Sequence, residues 1–70
     1  MKKYEFKNYY THKSAEIHTD ISSYEGCWFV CFFKNGECDY DLKGTGGTGE
    51  KRFTNEAAAI RAAKAYIVKE

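Results

Sequence analysis

The clearest pattern in the chain flanks the dipeptide Asn35-Gly36. Residues 26–34, which precede it, form an aromatic and β-branched run, and residues 37–42, which follow it, alternate strictly between polar and apolar side chains. Asn-Gly suits a type I′ turn, because both central residues of that turn need positive φ and its twist matches that of the flanking strands. The pattern therefore predicts a β-hairpin over residues 26–42.

A two-residue turn pairs Lys34 with Glu37 and thereby determines which side chains share a face of the hairpin. One face then carries only apolar residues, namely Phe29, Cys31, Phe33, Cys38, Tyr40 and Leu42. The other face mixes apolar and acidic residues, namely Trp28, Val30, Phe32, Asp39 and Asp41. We therefore expect the first face to form the core and the second face to meet water.

Two further strands are predicted upstream of the hairpin. Residues 14–22 alternate, so that Ala15 and Ile17 lie on one side of the strand and Glu16 and His18 lie on the other. Residues 4–7 form a shorter strand in this interpretation, with two aromatic side chains facing inward.

The end of the chain predicts one helix over about residues 55–68. Its apolar side chains recur at the i, i+3, i+4, i+7 spacing and are Ala59, Ile60, Ala63, Tyr66 and Ile67. Thr54 is the expected N-cap, because its hydroxyl can accept a hydrogen bond from a free backbone N–H of the first turn. The predicted fold class is α+β: a small antiparallel sheet of three to four strands packed on this C-terminal helix. The 70 residues form a single domain, 1–70, in which one helix leaves one sheet face open.

The composition is that of a folded protein, with 43% hydrophobic and 17% aromatic residues and no proline. The formal net charge of +1 creates no global field that favours nucleic acid or an acidic membrane. No apolar stretch approaches the length of a membrane span or of a signal-peptide core, and the cysteine count of three is odd. A reducing compartment suits such a chain, so we expect a cytoplasmic protein.

The cysteines are the first candidates for chemistry. Cys27, Cys31 and Cys38 all fall on the predicted inner face, but their spacing is not that of a structural zinc site, and free cysteine commonly packs as a small hydrophobe. The two histidines, His12 and His18, do not supply an activated nucleophile with a base and an orienting group. We therefore expect buried thiols, no metal, no cofactor and no enzymatic activity.

A glycine-rich segment over residues 43–50 precedes the helix and is flanked by basic residues. It lacks the Lys-Ser/Thr ending of a phosphate-binding P-loop, so the simpler interpretation is a connection between strand and helix. The stretch from this loop to the alanine-rich helix resembles the end of a double-stranded-RNA-binding domain, although that family begins with a helix and residues 2–12 are not helical by pattern. The basic residues that flank the loop and project from the helix support an alternative hypothesis, which is nucleic acid binding through Lys43, Lys51, Arg52, Arg61 and Lys64.

The leading hypothesis is a binding module that docks on a larger protein partner. Exposed aromatic residues are common at binding hot spots, and the acidic residues beside them would repel a phosphate backbone. The site residues of this hypothesis are Trp28, Val30, Phe32, Asp39 and Asp41. Accessory and inhibitor proteins of phages and mobile elements are often of this kind, and we expect a monomer or a weak homodimer that pairs through an edge strand.

Overall fold

The computed structural model describes residues 2–19 and 27–69 and shows an antiparallel sheet with one C-terminal helix. The strands are β1 (Lys2–Asn8), β2 (Lys13–Thr19), β3 (Trp28–Lys34), β4 (Glu37–Cys38) and β5 (Glu50–Phe53), and the helix is α1 (Glu56–Val68). The predicted α+β fold is thus confirmed. The predicted residues Asp20, Ile21 and Ser22 of the second strand lie outside the described residues. No helix in the described part of the chain is long and apolar enough to cross a membrane.

The sheet runs in the order β1-β2-β3, and the other edge of β3 is shared by two short strands. The predicted turn is confirmed, because Asn35 and Gly36 adopt φ of 55° and 82°, and Phe33 pairs with Cys38 as expected. The predicted hairpin nevertheless ends at Cys38, and β5 takes over the edge of β3 from Trp28 to Cys31. The change of partner occurs at Phe32, whose N–H donates to the Gly49 carbonyl at 2.8 Å.

The helix packs on the face of the sheet that was expected to meet water. Val30 and Phe32 are 0% and 3% exposed, and Trp28 packs against the same core. The Phe32 ring meets the Tyr66 ring edge to face, with centroids 4.8 Å apart. The predicted assignment of the two faces was therefore wrong, and the residues of β3 expected in the core, Phe29, Cys31 and Phe33, are only half-buried on the opposite face.

The physical reason is the length of β4. The prediction placed Tyr40 and Leu42 opposite Cys31 and Phe29, which made that face uniformly apolar. In the structure Tyr40 is 61% exposed in a turn, and charged residues of β5 occupy the positions beside Cys31 and Phe29. The face of Val30 instead lies beside the apolar residues of β2, which are fully buried.

Side chains at both ends fasten the helix. Asn55 is the N-cap, since its Oδ1 accepts the Ala58 N–H at 2.8 Å, so the expectation of Thr54 was wrong by one residue. At the other end the Thr11 hydroxyl donates to the Ile67 carbonyl at 2.6 Å, and the Lys13 ammonium donates to the Lys69 carbonyl. A cation near the C-terminus also complements the negative end of the helix dipole. The predicted apolar stripe of α1 is confirmed.

The glycine-rich segment is held by hydrogen bonds within itself. The buried Thr45 hydroxyl donates to the Leu42 carbonyl, and the Thr48 hydroxyl donates to the Thr45 carbonyl, both at 2.8 Å. Gly49 is buried with φ of 76°, and a Cβ there would lie 3.2 Å from the Cys38 Cβ. Glycine is therefore required at the point where the loop enters β5.

Candidate functional site

The face of the sheet opposite the helix is the candidate functional site, and we call it the open face. No element in the described part of the chain packs over it, because α1 contacts the sheet from the other side. The cross-strand pairs and the alternation of side chains assign its members. They are Glu5, Lys7, Ser14, Glu16, His18, Phe29, Cys31, Phe33, Cys38, Glu50 and Arg52.

The central row of the open face is acidic. Glu5 pairs with Glu16, Glu16 pairs with Cys31, and Cys31 pairs with Glu50, so three carboxylates and one thiol cross four strands in one line. Like charges directly opposite in neighbouring strands repel each other. This acidic row is therefore a feature that the fold maintains against a local electrostatic cost.

Two aromatic rings flank the acidic row. Phe29 and Phe33 lie two residues before and after Cys31 in β3, so their rings stand on either side of the row. Both rings are half-buried, and the Arg52 guanidinium lies 5.4 Å from the centre of the Phe29 ring, within the range of a cation–π interaction.

The basic groups of the open face lie outside the acidic row and partly balance it. The Lys7 Nζ lies 3.8 Å from a Glu5 oxygen, and the His18 Nε2 lies 3.2 Å from a Glu16 oxygen. The open face as a whole therefore has an apolar centre crossed by carboxylates and a rim of both signs.

Burial and the neighbouring carboxylates raise the pKa of the Cys31 thiol and favour its protonated form. Burial raises its pKa first, and the hydrogen bond from Sγ to a Glu50 oxygen, at 3.4 Å, raises it further together with the charge of Glu16. The pKa reaches about 12. A thiol with such a pKa is not a nucleophile near neutral pH, because the thiolate is the reactive form.

The residues predicted to bind a protein do not lie together on an exposed surface. Trp28, Val30 and Phe32 lie beneath the helix, so the prediction that they form an exposed platform was wrong. Asp39 is half-buried and accepts a hydrogen bond from the Tyr66 hydroxyl at 2.7 Å, which gives it a structural partner. Asp41 is exposed, but it lies in a turn beyond the end of the sheet.

The basic residues of the alternative hypothesis do not form one surface. Lys43 and Lys51 line a groove of about 220 Å³ between the glycine-rich segment and the helix. Arg52 lies on the open face, and the Lys64 ammonium lies 5.8 Å from the Phe6 ring, on the β1 side of the helix. Arg61 is exposed on the helix itself. A single phosphate backbone would therefore not contact all of them together through one face.

The three cysteines are half-buried rather than enclosed in the core, so the expected placement on the inner face was wrong. All three thiols are free. The described residues contain no group of three or more His, Cys, Asp and Glu side chains that could hold a metal ion.

Sequence reasoning missed Phe29, Phe33, Glu16 and Glu50 as members of one surface. A usable signal was present in β2, where Ala15 and Ile17 alternate with Glu16 and His18. That alternation identifies the buried side of β2, but extending it to β3 requires the register between the two strands. The segment that joins them has no tight-turn signature comparable to Asn-Gly, so the register was not available.

Comparison with known proteins finds no significant match to any protein-family model, curated protein or solved structure.

Proposed function

We propose that the protein is a non-catalytic binding module that docks on a larger protein through the open face. The acidic row between the rings of Phe29 and Phe33 is the observation that carries this proposal. Specific protein–protein interfaces are enriched in aromatic residues relative to the rest of the surface, and their rim is polar.

The arrangement also indicates the chemistry of the partner. The carboxylates of Glu16 and Glu50 stand on either side of Cys31, and the rings of Phe29 and Phe33 flank this row along β3. An arginine or lysine side chain of a partner would meet opposite charge and a ring face at the same place. A phosphate backbone would meet three carboxylates, which disfavours nucleic acid on this surface.

The backbone beneath the open face is held in place by the rest of the fold. The strand that carries Phe29 and Phe33 is hydrogen-bonded on both edges, and its reverse side packs on the core through Val30 and Phe32. Little backbone ordering is therefore needed on binding, which favours affinity.

Affinity capture with variants tests the proposal. The tagged protein is incubated with native lysate, with and without nuclease, and the retained proteins are identified for the wild type and for the double variant Phe29→Ala/Phe33→Ala. We expect one or more nuclease-resistant partners with the wild type and their loss with the double variant. Circular dichroism and thermal unfolding verify that the variant remains folded.

A charge-neutralising variant distinguishes this surface from a generally sticky one. Glu16→Gln/Glu50→Gln is expected to weaken capture of the same partner and to make the remaining binding less sensitive to salt. Glu37→Gln is the matched control, since Glu37 is an exposed carboxylate of β4 away from the acidic row. Undiminished capture by the folded Phe29→Ala/Phe33→Ala variant would refute the proposal, and so would capture that depends entirely on nucleic acid.

A further inference from the structure

A second surface lies at the end of the sheet, where the β1–β2 turn meets the β3–β4 turn. Residues of both turns line a groove of about 370 Å³. Its lining includes Lys7, Tyr9, His12, Ser14 and Asn35. No carboxylate is among the described residues that line it. The groove therefore offers cationic and hydrogen-bonding groups together with one aromatic ring.

The β1–β2 turn is rigid by hydrogen bonding. The Asn8 Oδ1 accepts the N–H groups of Tyr10 and Thr11 at 2.9 Å and 3.3 Å, which closes the turn from within. The Asn35 N–H donates to the His12 carbonyl at 2.8 Å and so joins this turn to the β3–β4 turn. The bond from Thr11 to the helix completes the attachment, so the groove is preformed.

This rigid turn holds two tyrosine rings in solvent. Tyr9 and Tyr10 are 81% and 96% exposed, the two highest values among the large apolar side chains of the described residues. Rings on a fixed backbone lose little conformational entropy when a ligand stacks on them. Tyr9 lines the groove and Tyr10 does not, so one exposed ring lies at the groove and the other lies outside it.

Cations gather at the same end of the sheet. Lys13 and Lys34 are directly opposite in β2 and β3, an unfavourable pairing of like charges. Lys13 lines the groove together with Lys7, whose Nζ also lies 3.8 Å from a Glu5 oxygen. Lys34 and its cross-strand partner Glu37 both line the neighbouring groove rather than this one. The described lining of the groove therefore holds two lysines and no carboxylate, which favours an anionic ligand.

We infer that this end of the sheet binds single-stranded nucleic acid, with bases stacked on Tyr9 and Tyr10 and a phosphate at Lys7. Exposed aromatic rings beside cations are the general means by which proteins bind single strands without reading their sequence. A nucleotide supplies both the planar group and the anion that the groove fits. The presence of two tyrosines favours a nucleic acid strand over a free nucleotide, because Tyr10 does not line the groove and could only stack on a second base. This site borders the open face and shares Lys7 and Ser14 with it, but it does not include the acidic row.

Fluorescence anisotropy of the purified protein with labelled single strands of about 12 nucleotides, oligothymidylate and oligouridylate, tests the inference. We expect binding at low salt that weakens as salt rises. Tyr9→Ala/Tyr10→Ala should lower the affinity by at least about tenfold, since stacking contributes roughly 1–3 kcal/mol per base. Lys7→Gln should lower the affinity and reduce the salt slope by about 1.

Tyr40→Ala is the matched control, because Tyr40 is an exposed tyrosine in a different turn, and its affinity should equal that of the wild type. Free nucleoside monophosphate and polyglutamate serve as competitors. A monophosphate that displaces the strand at equal nucleotide concentration would overturn the assignment to a strand. Displacement by polyglutamate without any effect of the tyrosine substitutions would show a general anion surface and would also overturn it, as would the absence of binding at low salt.

Discussion

The two faces of β3 differ although neighbouring residues of the same strand supply both. Phe32 is almost fully buried and packs on Tyr66, whereas Phe33, the next residue, is half-buried on the open face. The flanking strands make the difference, since β2 places Ala15 and Ile17 beside one face and Glu16 and His18 beside the other. Two apolar rows in one strand can thus have different roles, one structural and one available for contact.

The single helix explains why the second row remains accessible. Each apolar sheet face needs another layer to bury it, and the described chain supplies one helix for two faces. The row of Phe29 and Phe33 is instead shielded in part by charged neighbours, among them Arg52 over the Phe29 ring. In the function proposed above, a partner protein would supply that second layer.

Replacement of the two neighbouring phenylalanines should give the largest difference between the faces. Phe32→Ala removes a buried ring and should lower the free energy of unfolding by about 3–5 kcal/mol. Phe33→Ala removes a half-exposed ring and should cost roughly 1 kcal/mol, because less apolar area returns to water. Urea unfolding followed by circular dichroism measures both values.

If Phe32→Ala abolishes the cooperative transition altogether, Phe32→Leu and Phe33→Leu preserve the comparison at a smaller cost. Equal losses for the two positions, or a larger loss at Phe33, would contradict the assignment of the covered face.

Removal of the Tyr66 hydroxyl should have the next largest effect. This hydroxyl attaches the helix to the covered face, by which we mean the sheet face of Val30 and Phe32 beneath α1. Tyr66→Phe removes the hydroxyl that donates to an Asp39 oxygen at 2.7 Å and lies 3.2 Å from the Phe33 carbonyl oxygen, and it leaves a half-buried carboxylate without this donor. The expected loss of unfolding free energy is about 1–3 kcal/mol. Tyr40→Phe is the control at an exposed tyrosine, and the same denaturant series measures both. Indistinguishable stabilities of the two variants would remove Asp39 as a partner of the helix.

The start of the covering helix allows a comparison of adjacent residues. Asn55→Ala removes the N-cap and should cost about 1 kcal/mol, because one N–H of the first turn loses its acceptor. Thr54→Ala should change stability by less than about 0.5 kcal/mol, since Thr54 is exposed. Thermal unfolding of both variants decides the matter, and the opposite order would restore Thr54 as the cap.

The last prediction concerns the open face and depends on pH. The folded pKa of Cys31, about 12, lies above its ordinary value of 9.0, so the folded state holds this proton more tightly than the unfolded state. The resulting contribution to stability is complete below about pH 9 and decreases as the pH rises towards 12. Cys31→Ser, whose hydroxyl does not titrate in this range, should lack that contribution.

Melting temperatures from pH 7 to pH 11 should therefore show the stability difference between the wild type and Cys31→Ser falling above about pH 9, while effects of the other residues cancel. A difference that stays constant over the series would show that the thiol is not shielded by its surroundings.

Local patterns in the sequence were sufficient for several elements. The Asn35-Gly36 turn, the Phe33–Cys38 pair and the apolar stripe of α1 were all predicted and are confirmed, because each depends on residues close together in the chain. The sides of Ala15 and Glu16 in β2 were also predicted from alternation alone, and the structure confirms them.

The tertiary structure alone decided which face of the sheet the helix covers. That choice depends on where β4 ends and on the pairing of β5 with β3, which brings Glu50 beside Cys31 and Arg52 beside Phe29. The segment Glu50–Phe53 contains three charged residues and has no strand pattern of its own, so its pairing follows from the fold as a whole. A turn determines which side chains share a face, but only contacts between distant segments determine which face is buried.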